Sequence, residues 1–210
     1  RRKVRLTTPF KSKGGALLDI GAGTGYFIRA AKRSGWSVKG IEPNAVARGI
    51  ANAKDANTVF SEKIVSSLKA ASYDVITLWH VLEHLPNMEQ DLKMFKRLLK
   101  PNGRIIVAVP NFNSFDALYF KGFWAAYDVP RHLWHFSKDS IPKVFSKIHM
   151  TLESTHPMRM DAYYVSMLSN KHKTGSICFL SSLKTGFRSN LHASKTGEYS
   201  SLIYVLKNTD

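Results

Sequence analysis

The stretch from Leu17 to Phe27, LLDIGAGTGYF, constrains this chain more than any other. An apolar run ends in one acid, Asp19, and passes at once through Gly21, Ala22, Gly23 and Gly25 into an apolar, helix-compatible stretch opened by Tyr26. The pattern predicts a buried strand, a tight turn and a helix start. Glycines suit such a turn because it bends sharply and because a residue without a Cβ lets a ligand touch the main chain. The helix behind it also presents free N–H groups. A nucleotide-cofactor loop has these needs. A dinucleotide fold carries G-x-G-x-x-G under a pyrophosphate, whereas here Tyr26 stands where its third glycine would fall. Asp19 points away from a phosphate too, since a carboxylate holds an ammonium and repels an anion.

Beyond the loop, residues 26–34 are predicted helical with a stop at Gly35, and WSVKGIEPN reads as a second strand ending at Glu42. An acid roughly 20 residues past a glycine loop reaches a ribose diol in open α/β sheets, so Asp19 and Glu42 together imply a ribose-bearing ligand. The competing reading makes Glu42 a surface acid capping a helix over residues 43–53. Further strands are expected at 58–61, 73–79, 104–109, 151–155 and 200–206. Helices are expected at 89–99 and from Asp139 or Ser140 to residue 148, with an irregular helical insertion around 162–193. Alternating strands and helices predict an α/β, Rossmann-like, doubly wound and mostly parallel seven-stranded sheet with helices on both faces. Ligands then sit beyond the carboxyl ends of the strands, where Asp19, Glu42, Trp79, His80 and Asn111 fall.

At 210 residues, 44% hydrophobic and 22% charged, the chain suits one domain. Within it, a cofactor-binding core of about 16–111, a substrate-covering segment of about 112–136, and C-terminal strands with the helical insertion over 137–210 are expected. No apolar run approaches the roughly 20 residues of a membrane helix, and RRKVRL is not followed by a signal-peptide core. The lone Cys178 excludes an intrachain disulfide and fits a reducing compartment, so a cytoplasmic protein without a membrane span is expected. The missing initiator Met suggests a trimmed start. Lysine and arginine total 31 against 15 acids, a formal net charge of +16, and both ends are basic. That field favours an anionic partner such as RNA, an acidic glycan, a phosphorylated metabolite or an anionic lipid surface, with ordinary solubility as the bland alternative.

LLDIGAGTGYF, IEPN, YDVITLWHVLEHLPN and LLKPNGRIIVAVPN, in this order and spacing, resemble the successive motifs of the class I S-adenosylmethionine-dependent methyltransferases, in particular their VLEHL-containing small-molecule branch. The resemblance covers about residues 16–111. It implies S-adenosylmethionine as cofactor, S-adenosylhomocysteine as product and an antiparallel last strand. By the same likeness Asp19 and the loop Gly21 to Gly25 hold the methionine end, and Glu42, followed by Pro43, holds the ribose hydroxyls. Leu78, Trp79 and His80 then line the cofactor. The family often has an acid near the end of the third strand for the adenine amine; TVFSEKIVSS offers Ser61 and Glu62 only approximately.

NSFDALYFKGFWAAYDVPRHLWHF is a long aromatic segment of the kind that walls off water over a rigid scaffold, and DVPRHLWHFS resembles a segment of the same branch. A packed insertion over the sheet edge is the bland reading. Tyr26, Trp79 or Tyr127 would suit the face of a sulfonium. Methyl transfer to an oxygen, less readily a nitrogen, of a small-molecule, glycan-type or carrier-linked and anionic acceptor is expected. An alcohol or phenol needs a base titrating near neutrality, for which His132 is the candidate, with Asp128 or His84 as its orienting partner. An RNA-directed enzyme is the alternative, although no RNA-binding module or RNP-type aromatic motif is present. His80, Glu83 and His84 also spell H-x-x-E-H, an inverted zinc-peptidase pattern, but Pro86 interrupts the helix such a site requires, and no metal is expected.

Overall fold

A computed structural model describes residues 2–209. After a short helix α1 (Arg2–Thr7), strands and helices alternate: β1 (Ala16–Ile20), α2 (Tyr26–Arg33), β2 (Ser37–Ile41), α3 (Ala45–Lys54), β3 (Val59–Phe60), β4 (Tyr73–Trp79), α4 (Met88–Leu98) and β5 (Leu99–Pro110). The second part holds α5 (Phe115–Phe120), α6 (Ser140–Ser146), β6 (Met150–Pro157), the helix pair α7 (Asp161–Thr174) and α8 (Phe179–Thr196), and β7 (Ser201–Asn208). One sheet of seven strands results, in the order β3-β2-β1-β4-β5-β7-β6. Every pairing from β3 to β5 is parallel, and β7 runs antiparallel between β5 and β6.

The central strands are apolar on both sides, as parallel strands covered by helices must be. Because side chains alternate across a strand, β4 and β5 feed two layers. Ile76, Leu78, Ile105 and Val107 meet Leu92, Phe95 and Leu98 of α4 and Phe145 of α6, while Val75, Ile106 and Ala108 meet Ala31 and Trp36. The spacing of Leu92, Phe95 and Leu98 gives α4 a single apolar stripe. The order of strand addition reverses between the parallel neighbours β1 and β4, which brings the glycine loop and the β4 exit together at the carboxyl ends of the strands, since Asp19 lies beside Thr77 and Ile20 beside Leu78.

Three expectations change. β5 starts at Leu99 because Leu99 pairs with Tyr73 and a register shift carries the ladder past Pro101. α3 starts at Ala45, with the Asn44 side chain accepting from Ala47 N at 3.0 Å, so the cap is Asn44 and not Glu42. The insertion expected to be irregular is two regular helices, each closed by a left-handed glycine, Gly175 and Gly197.

Candidate active site

The glycine loop hangs from the end of β2. Gly21 N and Ala22 N both donate to Ile41 O, at 2.8 and 2.9 Å. Gly21 has φ +71°, and a Cβ there would lie 2.3 Å from Val81 Cγ2, so the loop is pressed against the β4 exit. Gly25 caps α2 at φ +77°. Residues with side chains reach such angles only at a cost, which is why this pattern was visible in the sequence.

Two carboxylates stand at this edge. Asp19 is buried and accepts a 2.6 Å hydrogen bond from Thr77 Oγ1. Burial raises its pKa to about 7, against the downward pull of the Thr77 hydroxyl and the Lys3 ammonium. Glu42 spans the loop instead of capping a helix with its side chain: Oε2 accepts from Gly23 N at 2.8 Å and Oε1 from Asn44 N at 2.9 Å. Pro43 O accepts from Arg48 Nη1 at 2.6 Å, which fixes the turn after Glu42. Ser61 and Glu62 bond each other at 2.9 Å beyond β3. The donor set fits S-adenosylmethionine: a carboxylate at the end of β1 for an ammonium, one at the end of β2 for a diol, and between them a loop with no room for a Cβ at Gly21.

Other expected lining residues are used differently. Leu78 is fully buried in the core. Trp79 packs edge-on against Phe27 at 5.2 Å and carries Lys3 Nζ 4.5 Å from its ring centre. Tyr26 is 74% exposed and stacks with Arg29 and Lys54, whereas Tyr127 packs against Trp124 and His135. The three aromatics expected to face a sulfonium therefore belong to separate contact sets. His80 leaves β4 at φ +57° and is clasped by two acids, Glu83 Oε1 at 3.3 Å from Nδ1 and Asp161 Oδ2 at 3.2 Å from Nε2. Burial alone would lower its pKa, but Asp161 and Glu83 hold it up, at about 9. Asp161 and Lys3 carried no local signal, since neither lies in a motif and both arrive through tertiary packing.

Below this clasp, His84 and His132 meet with ring centres 4.6 Å apart. His132 Nδ1 lies 2.8 Å from Ala126 O and His84 Nδ1 lies 2.9 Å from Arg131 O. A carbonyl only accepts, so each Nδ1 carries a proton, and in a neutral ring the lone pair is then on Nε2. Asp128 is not the orienting partner expected for His132: its Oδ2 is 3.9 Å from Nε2, and Arg131 Nη1 stands 3.5 Å from the same oxygen. The Ala126 carbonyl fills that role. Burial lowers the His132 pKa, only partly offset by that carbonyl and the nearby acids. The H-x-x-E-H pattern does not form a zinc-peptidase helix, because Leu82–His84 is a single 3-10 turn and His80 turns to Asp161. Among the described residues, Glu83, His84 and His132 instead bring three donor atoms within 4.8 Å of one another. Of this cluster, His132 also lines a shallow concavity with Phe112, Trp124, Trp134, His135 and Phe136 of the aromatic segment.

Comparison with known proteins agrees with the sheet order and the loop. Residues 1–155 match the model of a family described as a methyltransferase domain, and the chain belongs to that family. Its fold and motifs are those of the class I, S-adenosylmethionine-dependent methyltransferases. The ubiquinone biosynthesis O-methyltransferase of Serratia proteamaculans is 30% identical over 122 residues, covering 53% of this chain and 51% of that protein. The chain thus spans about half the length of the curated relatives it matches. A SAM-dependent methyltransferase from Archaeoglobus fulgidus superposes with a TM-score of 0.65 at 16% identity, covering 99% of this chain and 92% of that one. The Burkholderia thailandensis 1,6-didemethyltoxoflavin-N1-methyltransferase, solved with bound 1,6-didemethyltoxoflavin and S-adenosylhomocysteine, gives 0.63 at 16%, covering 100% of this chain and 78% of that one. At these identities the structural likeness speaks for the fold.

Proposed function

We propose that this chain methylates an oxygen of a small, anionic or carrier-linked acceptor held against the aromatic segment. The observation that carries the reading is His132, held at Nδ1 by Ala126 O among the side chains of the aromatic segment, with no hydrogen bond at Nε2 among the described residues and Asp128 Oδ2 3.9 Å from it. S-adenosylmethionine supplies an electrophilic methyl group. Asp19 holds the amino end of the cofactor and Glu42 exchanges its loop contacts for the ribose hydroxyls. His132 Nε2 takes the proton of the acceptor hydroxyl, and Ala126 O stabilises the imidazolium that results. Positioning contributes most of the rate, because the charge that the reaction consumes is brought by the cofactor. The O-methyltransferase name of the matched relatives supports oxygen over nitrogen. The formal charge of +16 suits an anionic acceptor, and the lone, exposed Cys178 suits the cytoplasm.

Calorimetry with S-adenosylhomocysteine tests the cofactor site. One molecule per chain is expected to bind, and Glu42→Ala or Asp19→Ala to weaken it by at least about 1 kcal/mol through unpaired ligand donors. Binding of NAD in its place would overturn the reading.

A further inference from the structure

The helix pair α7–α8 is built inside out. An amphipathic helix on a globular protein turns its large apolar residues inward. In α8 the buried positions are Ser182, Thr185, Gly186, Ser189 and Ala193. The large ones face outward: Leu180 is 79% exposed, Phe179 64%, Phe187 60%, Leu191 53% and Leu183 40%. Ile177, in the connection between the helices, is exposed as well. Most of the inward hydroxyls find partners: Ser169 donates to Val165 O, Ser182 donates to Cys178 O and accepts from Asn170, and Ser189 donates to Asp116, while Ser166 Oγ has no partner among the described residues. Close approach explains the small residues: a Cβ on Gly186 would lie 2.9 Å from Tyr163 Cα. Helices that meet through small and hydroxyl side chains while showing large apolar ones outward are packed as helices in lipid are.

Charge selects the occupant. Between Asp161 and Glu198 the chain has no acid, but it has Lys171, Lys173, Lys184, Arg188 and Lys195. At 100° per residue, Lys184, Arg188 and Lys195 run in a row beside the stripe of Leu183, Phe187 and Leu191. A second copy of this face, meeting it about a two-fold axis, would set cations against cations. No described helix is long and apolar enough to cross a membrane. We propose that the outer face of α7–α8 docks on an anionic lipid surface, its Phe and Leu side chains lying at the acyl boundary and its Lys and Arg side chains among the headgroups. The pair then lies on the bilayer, beside the acceptor wall, because Ser169 of α7 holds Ala125 N of the aromatic segment at 2.8 Å.

Flotation of the full chain with vesicles tests this. It is expected to float with phosphatidylcholine–phosphatidylglycerol vesicles and not with phosphatidylcholine alone. Leu183→Ser/Phe187→Ser should weaken partition at least about tenfold, since it removes two of the exposed apolar side chains that would enter the acyl boundary. Lys184→Gln/Arg188→Gln should weaken it less and flatten its salt dependence. All four positions are exposed, so unchanged melting temperature and S-adenosylhomocysteine binding verify the fold and leave the methyltransferase reading untouched. Absent flotation, equal flotation on neutral vesicles, or full retention by the Leu183/Phe187 variant overturns the proposal. So does a wild-type dimer that the same variant dissociates, or an acidic protein that the wild type binds in preference to the vesicles.

Discussion

His84 and His132 face each other edge to face, 4.6 Å between ring centres, and each is pinned at Nδ1 by a main-chain carbonyl. One donor atom from each ring lies within 4.8 Å of the buried Glu83 carboxylate. If His132 is the base, His132→Ala should lower kcat by ~10² or more while S-adenosylhomocysteine affinity is preserved. Unchanged turnover removes His132 from the chemistry. Its pKa is lowered by burial, so the acid limb of the kcat profile should lie below pH 6.5, with the neutral ring available throughout the neutral range. Zinc, by binding the His132 ring within the three-donor set, should inhibit the wild type and spare a His84→Ala variant in part.

The clasp on His80 makes stability depend on pH in a definite direction. Its folded pKa is about 9, above the ordinary 6.5, so the folded state binds the extra proton. The stabilisation is complete below pH 6.5 and is lost as pH rises through about 9. Asp19 acts on the other side: with a pKa raised to about 7, it costs stability progressively as pH rises from 3.8 to about 7 and adds no slope above that. His80→Asn, which tolerates the positive φ, should therefore abolish the alkaline part of the fall in urea midpoint between pH 6.5 and 9. An equal fall in the variant would show that His80 is not linked. The group is one-third exposed, so solvent screens the effect.

What the sequence displayed was the part of the site written in backbone conformation. Gly21, Gly23 and Gly25 all sit at positive φ, Asp19 falls near the end of the apolar strand β1, and Glu42 follows directly on β2. The sheet was legible for the same reason, because buried parallel strands must be apolar throughout. Side-chain partnerships were not legible. Nothing near Asp128 says that the Ala126 carbonyl will take His132, and nothing near His80 says that Asp161, eighty-one positions on, will close over it. Nor did a stretch rich in Ser and Lys between 162 and 193 read as regular helix, since its apolar residues face solvent and the usual periodicity cue is inverted.

Asp116 ties that helix pair to the core. Its buried carboxylate accepts from Trp124 Nε1 at 2.8 Å, Ser189 Oγ at 2.7 Å and Ser200 Oγ at 2.7 Å, joining α5, the aromatic segment, α8 and the start of β7. Asp116→Ala orphans three buried donors, each costing about 1–3 kcal/mol. Urea denaturation should show a loss of at least about 3 kcal/mol. A loss under about 1 kcal/mol would mean that water replaces the carboxylate and that the helix pair is held by packing alone.

Lys3 poses the sharpest test of the cofactor's charge. Its ammonium lies 4.5 Å from the Trp79 ring centre, within the field of Asp19 and Asp161, and desolvation lowers its pKa against the pull of those two acids. With the cofactor's amino end at Asp19, Lys3 and a sulfonium share one electrostatic neighbourhood and repel. S-adenosylhomocysteine has no sulfonium charge, so the repulsion falls on the substrate form alone. Lys3→Met keeps the aliphatic stem over Trp79 and removes the charge. It should tighten S-adenosylmethionine relative to S-adenosylhomocysteine by a few-fold, on the order of 1 kcal/mol at an effective dielectric near that of a protein surface. Raising the salt should shrink the difference only slightly, because the pair is largely buried. A Lys3→Met variant that binds the two ligands in the wild-type ratio would place the sulfonium away from Trp79, and the acceptor with it.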